Sequence, residues 1–174
     1  MKRMIGSLAI ASILLTACAT SQGGSQPTTN SIVNSLTKSV KGTWVIKNVT
    51  YNKPKGEYKV TDALGEGGTP ECFINSTWDL NNTGGKGTYN LTGGDNCNAG
   101  VKNIVWSVLP ENGKNIFRYK VLNPNDKAKD VLSGHFFEMV NITADQMTLK
   151  SNLLLGDSDQ FEILYHFKKV QTKK

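Results

Sequence analysis

The chain repeats one pattern along most of its length: short runs in which apolar and polar residues alternate, separated by clusters of Gly, Pro, Asn and Asp. Alternation with period two puts one set of side chains on a buried face and the other in water, the mark of a half-buried strand. Strands are therefore expected over residues 43–51, 57–61, 73–80, 87–91, 103–109, 116–122, 133–142, 146–151 and 160–170. These runs are rich in β-branched and aromatic residues. The turns between them carry residues suited to turn dihedrals: Asn52-Lys53-Pro54-Lys55-Gly56, Pro110-Glu111-Asn112-Gly113, Asn123-Pro124-Asn125-Asp126 and Gly156-Asp157-Ser158-Asp159. Helical spacing occurs in one stretch, where Ile32, Leu36 and Val40 recur at i, i+4 and i+8, predicting a turn or two of helix packed on an end of the sheet. Eight or nine antiparallel strands in sequential hairpins predict an all-β fold, an up-and-down barrel whose closure removes exposed edges. A β-sandwich satisfies the same periodicity.

One hairpin can be placed in register. Gly84-Gly85 suits a two-residue turn with positive φ at both positions. A hairpin centred there pairs residues whose numbers sum to 169, so Leu80 faces Tyr89, Trp78 faces Leu91 and Cys72 faces Cys97. Alternation, turn chemistry and cysteine spacing then agree, and a Cys72–Cys97 disulfide is expected in an oxidising compartment. Closing a loop of this length stabilises a fold by about 3 kcal/mol on the chain-entropy model. A redox or metal role for the pair is the alternative, but their wide spacing, with no CxxC and no nearby His, gives it little support.

The first 30 residues break the strand pattern. Lys2 and Arg3 precede an apolar run over residues 5–15, which is the length of a signal-peptide core. A spanning helix needs about 20 residues, so this run is too short to cross a membrane. It ends in Leu15-Thr16-Ala17-Cys18, which resembles the lipobox cut by lipoprotein signal peptidase. Small residues at Thr16 and Ala17 admit the peptidase, and the Cys18 thiol takes the diacylglycerol. Residues 1–17 are accordingly expected as a lipoprotein signal peptide, 18–30 as an acylated tether of Ser, Gln, Gly, Thr and Pro, and 31–174 as one domain. Two or three acyl chains anchor such a protein stably, where one would hold only marginally. Ala19, not Asp, follows Cys18, which favours the outer membrane under enterobacterial sorting. No acidic surface-export signal follows either, which favours its periplasmic face.

Charge changes little in this reading. The chain carries 20 basic and 14 acidic residues, a net +6; without Lys2 and Arg3 the balance is +4. The lysines are scattered rather than gathered in a stripe, so no nucleic-acid partner is expected.

Gly42-Thr43-Trp44 opens the first strand directly after the short helix. It resembles the Gly-x-Trp signature of the lipocalins, and more closely that of the lipocalin-like domain lipoproteins of the Bacteroidota type. The ending over residues 161–170, aromatic alternation followed by Lys168 and Lys169, is similar to the last strand of that group. The resemblance implies a calycin-type barrel over residues 42–170, with first and last strands paired and a terminal cation across Trp44. Lysine stands where the family usually has arginine, and it stacks less well on an indole.

Catalytic chemistry is sparse. His135 and His166 fall in different expected strands, His166 on the outward face with Glu162, Leu164 and Lys168. No Gly-x-Ser-x-Gly, His-Glu-x-x-His or phosphate loop occurs, Asp157 and Asp159 read as turn formers, and Glu57, Glu66 and Glu71 are too far apart in sequence to argue as a catalytic pair. No enzyme, metal or cofactor is expected. The rings are more telling. Trp44, Trp106, Phe117, Tyr119, Phe137, Met139 and Tyr165 are the candidate lining of a cavity for a small hydrophobic or amphipathic ligand; plain core packing would use the same residues. Two classes of function follow: a membrane-anchored envelope lipoprotein that binds such a ligand, or a non-catalytic accessory lipoprotein whose filled barrel contacts another envelope protein. Replacing Cys18→Ala should abolish incorporation of a palmitate analogue, and retained acyl label in that variant would refute the lipoprotein expectation.

Overall fold

Among the described residues every strand has a hydrogen-bonded neighbour on both sides, because the last returns to the first. The structure, a computed structural model, describes residues 28–52, 55–155 and 159–171; residues 1–17, Cys18 and most of the expected tether lie outside them. One helix, α1 (Thr29–Val40), precedes eight strands: β1 (Thr43–Asn52), β2 (Thr77–Asp79), β3 (Lys86–Gly94), β4 (Cys97–Glu111), β5 (Lys114–Leu122), β6 (His135–Ile142), β7 (Gln146–Leu155) and β8 (Asp159–Lys169). They close in chain order into an antiparallel barrel. β1 pairs with β8 from Trp44 opposite Lys169 to Asn52 opposite Glu162, which excludes the sandwich. Among the described residues no helix is long and apolar enough to cross a membrane.

The helix is longer than its three spaced apolar residues suggested. Thr28 caps it by accepting a hydrogen bond from the Ser31 N–H, so the polar residues before Ile32 become its first turn. It packs along β4 and delivers Val40 into the core, with Leu36 resting on the core's edge. The last turn leaves carbonyls without helical partners. Trp44 takes one of them, its indole N–H donating to the Val40 carbonyl at 2.8 Å. The same ring carries the Lys169 ammonium 4.9 Å from its centroid, a cation–π contact. Lys169 is thus the terminal cation, while Phe167 lies against Trp78 instead (5.7 Å). Gly42 explains its own place in Gly-x-Trp: its φ is +147°, and a Cβ there would stand 2.2 Å from Lys169 Cε.

The interior is filled by alternate residues of every strand, and two bulges decide which ones. Between Ile46 and Asn48 the β1–β8 register shifts by one. Burial then passes from Trp44 and Ile46 to Val49, because an extra residue reverses the faces. A second shift, between Met139 and Asn141, does the same in β6.

Three expectations need correction. Residues 57–61 form no strand; they begin the irregular connection from β1 to β2. The strand expected over 73–80 shrinks to Thr77–Asp79 because Pro70–Phe73 is a 3-10 turn and Asn75 has a φ of +66°. The hairpin register is displaced by two: Trp78 faces Tyr89, not Leu91. Gly84 and Gly85 do have positive φ, but they lie in a wider connection, with Gly85 so close to the Trp106 carbonyl that a Cβ would come within 2.3 Å of it. A shift of two keeps each side chain on its face. The Cys72–Cys97 disulfide is present, with Cα atoms 5.4 Å apart, yet it is no cross-strand pair: it ties the Pro70–Phe73 turn to the start of β4.

Truncating a buried aromatic typically costs about 3–5 kcal/mol. Trp44→Ala, which also frees a helix carbonyl and the Lys169 ammonium, should lower the stability measured by urea unfolding by at least that much. A loss under 1 kcal/mol, roughly that of an exposed site, would contradict this role for Trp44.

Candidate functional site

Inward positions on β3, β4, β5, β6 and β8 bring the chain's rings together. Of the seven residues expected to line a cavity, five form one continuous stack: Trp106 on Phe117 (6.0 Å between centroids), Tyr119 on Phe137 (5.9 Å) and Phe137 edge-on to Tyr165 (5.9 Å), with Phe117 touching both Tyr119 and Phe137. Met139 is buried beside them on β6. Trp44 belongs instead to the end covered by α1. Phe136, whose neighbour Phe137 is buried, points outward and is 62% exposed.

The stack continues into residues outside that candidate set. Trp78 lies on Tyr89 (4.7 Å) and edge-on to Tyr119 (5.4 Å). Phe73, fully buried, touches Trp78, Tyr89 and Tyr165. Phe73 arrives from the β1–β2 connection, so this connection inserts a side chain among the barrel's own rings. Its alternation read as strand, and no local signal marks it as a plug.

Polar groups gather under the same segment. Glu66 is 5% exposed, accepts a hydrogen bond from the Tyr89 hydroxyl and pairs with Lys102 at 2.9 Å. Asn98 donates to the Glu66 carbonyl, and the Asp62 carboxylate accepts from the Gly67 N–H at 2.8 Å. A buried carboxylate is tolerable when charge and hydrogen bonds meet it. Gly65, Gly67 and Gly68 all have positive φ around it, and that glycine-rich turn is the only trace of the arrangement in the sequence.

The hydroxyls of Tyr119 and Tyr165 are different: both are buried, and neither has a hydrogen-bond partner among the described residues. Burial raises both phenols well above their ordinary pKa, so each remains a neutral donor at any physiological pH. A buried hydroxyl without a partner costs about 1–3 kcal/mol. Two in one interior, facing a layer of rings, make this the place where a bound molecule's polar group gains most.

Above the segment the mouth carries a cleft of about 240 Å³ between Tyr51, Tyr58, Val60, Glu71 and Phe161. Tyr51 stacks on Phe161 at 5.5 Å and donates its hydroxyl to Glu71.

The histidines stay apart. His166 faces outward between Thr50 (2.8 Å) and Thr148 (3.3 Å). His135 lies against the Tyr119 ring at 4.8 Å, and burial lowers its pKa. Among the described residues no group of three or more His, Cys, Asp or Glu could hold a metal ion.

A model of the lipocalin-like domain matches residues 40–149. No curated protein and no solved structure matches the chain.

With the two hydroxyls unpartnered in the ligand-free barrel, Tyr119→Phe and Tyr165→Phe should be neutral or stabilising there, by up to about 1–3 kcal/mol in urea unfolding. Clear destabilisation by either change would mean that its hydroxyl already has a partner.

Proposed function

The chain belongs to the lipocalin-like family, and from that premise we propose that it is a membrane-anchored envelope lipoprotein whose barrel binds one small amphipathic molecule. The observation that carries this reading is the pair of phenols, Tyr119 and Tyr165, that have no hydrogen-bond partner among the described residues. They stand in a layer of rings and aliphatic side chains, whereas the buried Glu66 is already paired with Tyr89 and Lys102. A ligand with an apolar body and one hydrogen-bond acceptor fits both parts of that surface. Its body replaces Phe73 against Trp78, Tyr89 and Tyr165, and its acceptor takes the phenolic protons. Entry requires the β1–β2 connection to move, since that connection holds Phe73 inside. The reading is of a binding protein, not a catalyst.

Anchoring rests on the sequence: the lipobox ending in Cys18 and the tether after it. With Ala19 in second place, the outer membrane facing the periplasm is the proposed location. A ligand taken from or delivered to the membrane would then have a short path to the barrel.

The accessory reading draws on one specific observation. The rings lie at contact distances, 4.7–6.5 Å between centroids, while Leu132 and Phe136 are 94% and 62% exposed on the outside. A filled barrel with an apolar patch outside suits a protein that touches a partner.

Native mass spectrometry of the protein purified from its own host separates the two. The proposed function predicts a retained molecule of a few hundred daltons, the mass of a ligand filling a pocket of roughly 300–1,000 Å³, and its loss in Tyr119→Phe/Tyr165→Phe. Protein that is always bare, but co-purifies with a stoichiometric envelope partner, would establish the accessory reading instead.

A further inference from the structure

The outside of the barrel has a second concave surface, which the interior reading does not use. Residues 123–134 join β5 to β6 and fold back along the outer face of the sheet, where the Lys120 ammonium holds them by donating to the Val131 and Ala128 carbonyls at 2.7 and 3.3 Å. Between this connection and the strands runs a cleft of about 500 Å³, within the range of small-molecule sites.

Cross-strand pairing fixes its floor. Ser107 of β4, Arg118 of β5 and Phe136 of β6 form one outward row, Ser107 opposite Arg118 and Arg118 opposite Phe136. Val105 extends the floor, and Leu132 and Lys129 supply the wall. Arg118 spends its Nε–H on Ser107 at 2.9 Å, which orients the guanidinium and leaves its terminal nitrogens uncommitted. Neither Arg118 nor Lys129 has an ion pair among the described residues, whereas five other lysine–carboxylate contacts occur among them. The lining includes Arg118, Lys120 and Lys129 and, among the described residues, no carboxylate. Leu132 and Phe136 are left largely in water.

One sign of charge, unpaired, beside exposed apolar surface in a single cleft is complementary to a molecule with an anionic head and an apolar chain. We propose that this outer cleft is a second binding site, for a free single-chain anionic amphiphile. Its carboxylate or phosphate head lies on Arg118 and Lys129, and its chain covers Phe136, Val105 and Leu132. A guanidinium fork suits either head, because both offer two oxygens in its plane. Its floor faces away from the barrel interior and meets the interior rings only where Trp106 and Tyr119 border it: Phe136 and Phe137 are consecutive, and alternation sends them to opposite sides of the sheet.

Photolabelling of the full chain in phosphatidylcholine nanodiscs tests this, with four probes bearing the same diazirine-tagged chain: a fatty acid, its methyl ester, an alkyl phosphate and a phosphatidylglycerol. The free acid and the alkyl phosphate should both label the peptide containing Leu132 and Phe136, and labelling should fall with added salt, because screening weakens an exposed ion pair. The ester should label it about tenfold less, as should the acid with Arg118→Glu or Phe136→Ser, a change of one ion pair or one ring contact; Arg118→Lys should keep most of the label. Both positions are exposed, so the fold should tolerate these changes; unchanged near-ultraviolet circular dichroism confirms it, and an altered spectrum moves the comparison to Arg118→Lys and the salt dependence, which need no disruptive variant. Equal labelling by acid and ester would overturn the proposal. So would label from phosphatidylglycerol alone, which would make the surface a membrane contact, or adducts confined to Phe137 and Tyr165, which would place the amphiphile in the barrel.

Discussion

What the barrel can hold is decided by one tie, the Cys72–Cys97 disulfide between the β1–β2 connection and the start of β4. Without it, the connection would be a long surface loop with glycines at its centre, and such loops stay mobile because ordering them costs about 1–2 kcal/mol per residue. With it, the loop's anchored end is Phe73, held among Trp78, Tyr89 and Tyr165. Glu66 follows, fixed by Tyr89 and Lys102, and the backbone above Tyr119 and Tyr165 is thereby set. The disulfide fixes the connection's backbone at Cys72, while the stretch from Lys55 to Thr69 and the Phe73 ring itself are held by noncovalent contacts, so the mouth can open without breaking a covalent bond. The ligand reading depends on that asymmetry.

The opposite end is built for permanence. Trp44 is gripped by the Val40 carbonyl, by Lys169 and by the β2 and β8 strands on either side. These contacts join the first strand to the helix, to β2 and to β8, so one residue couples helix, first strand and last strand. A domain with about 5–15 kcal/mol in hand can loosen its mouth only if such an end does not loosen with it.

Most of the barrel was legible in the sequence, and the failures share a cause. Alternation located β1 and β3 to β8 because their inward residues meet the same rings wherever the register falls. Gly42-Thr43-Trp44 and the terminal lysines implied that β1 meets β8, which the register bears out. The disulfide was legible too, but for the wrong geometry: Cys72 sits in a 3-10 turn, and parity alone made it look like a strand partner of Cys97. Residues 57–61 alternate like a strand, yet among the described residues no strand pairs with them. The two bulges in β1 and β6 leave no mark in composition, and they decide whether Val49 or Asn48 faces the core. The site was half legible. Trp106, Phe117, Tyr119, Phe137 and Tyr165 are adjacent because inward positions on neighbouring strands must be. Tyr89 joins them as an inward residue of β3, but Phe73 and Glu66 join through long-range folding of an irregular segment, which no local pattern encodes.

The central claim is that a ligand enters beneath the β1–β2 connection and meets Tyr119 and Tyr165. The chain has five tyrosines: Tyr51 and Tyr58 at the rim, Tyr89 bonded to Glu66, and Tyr119 and Tyr165, whose hydroxyls have no partner among the described residues. Fluorine NMR of the full chain labelled with fluorotyrosine therefore reports each zone by a separate resonance. Titration with a medium-chain fatty-acid methyl ester, which offers an acceptor but no charge for the outer cleft, should move the Tyr119 and Tyr165 resonances to saturation, with Tyr89 following as Phe73 leaves its ring. Resonances of Tyr119 and Tyr165 that stay fixed at saturating ligand would contradict the account.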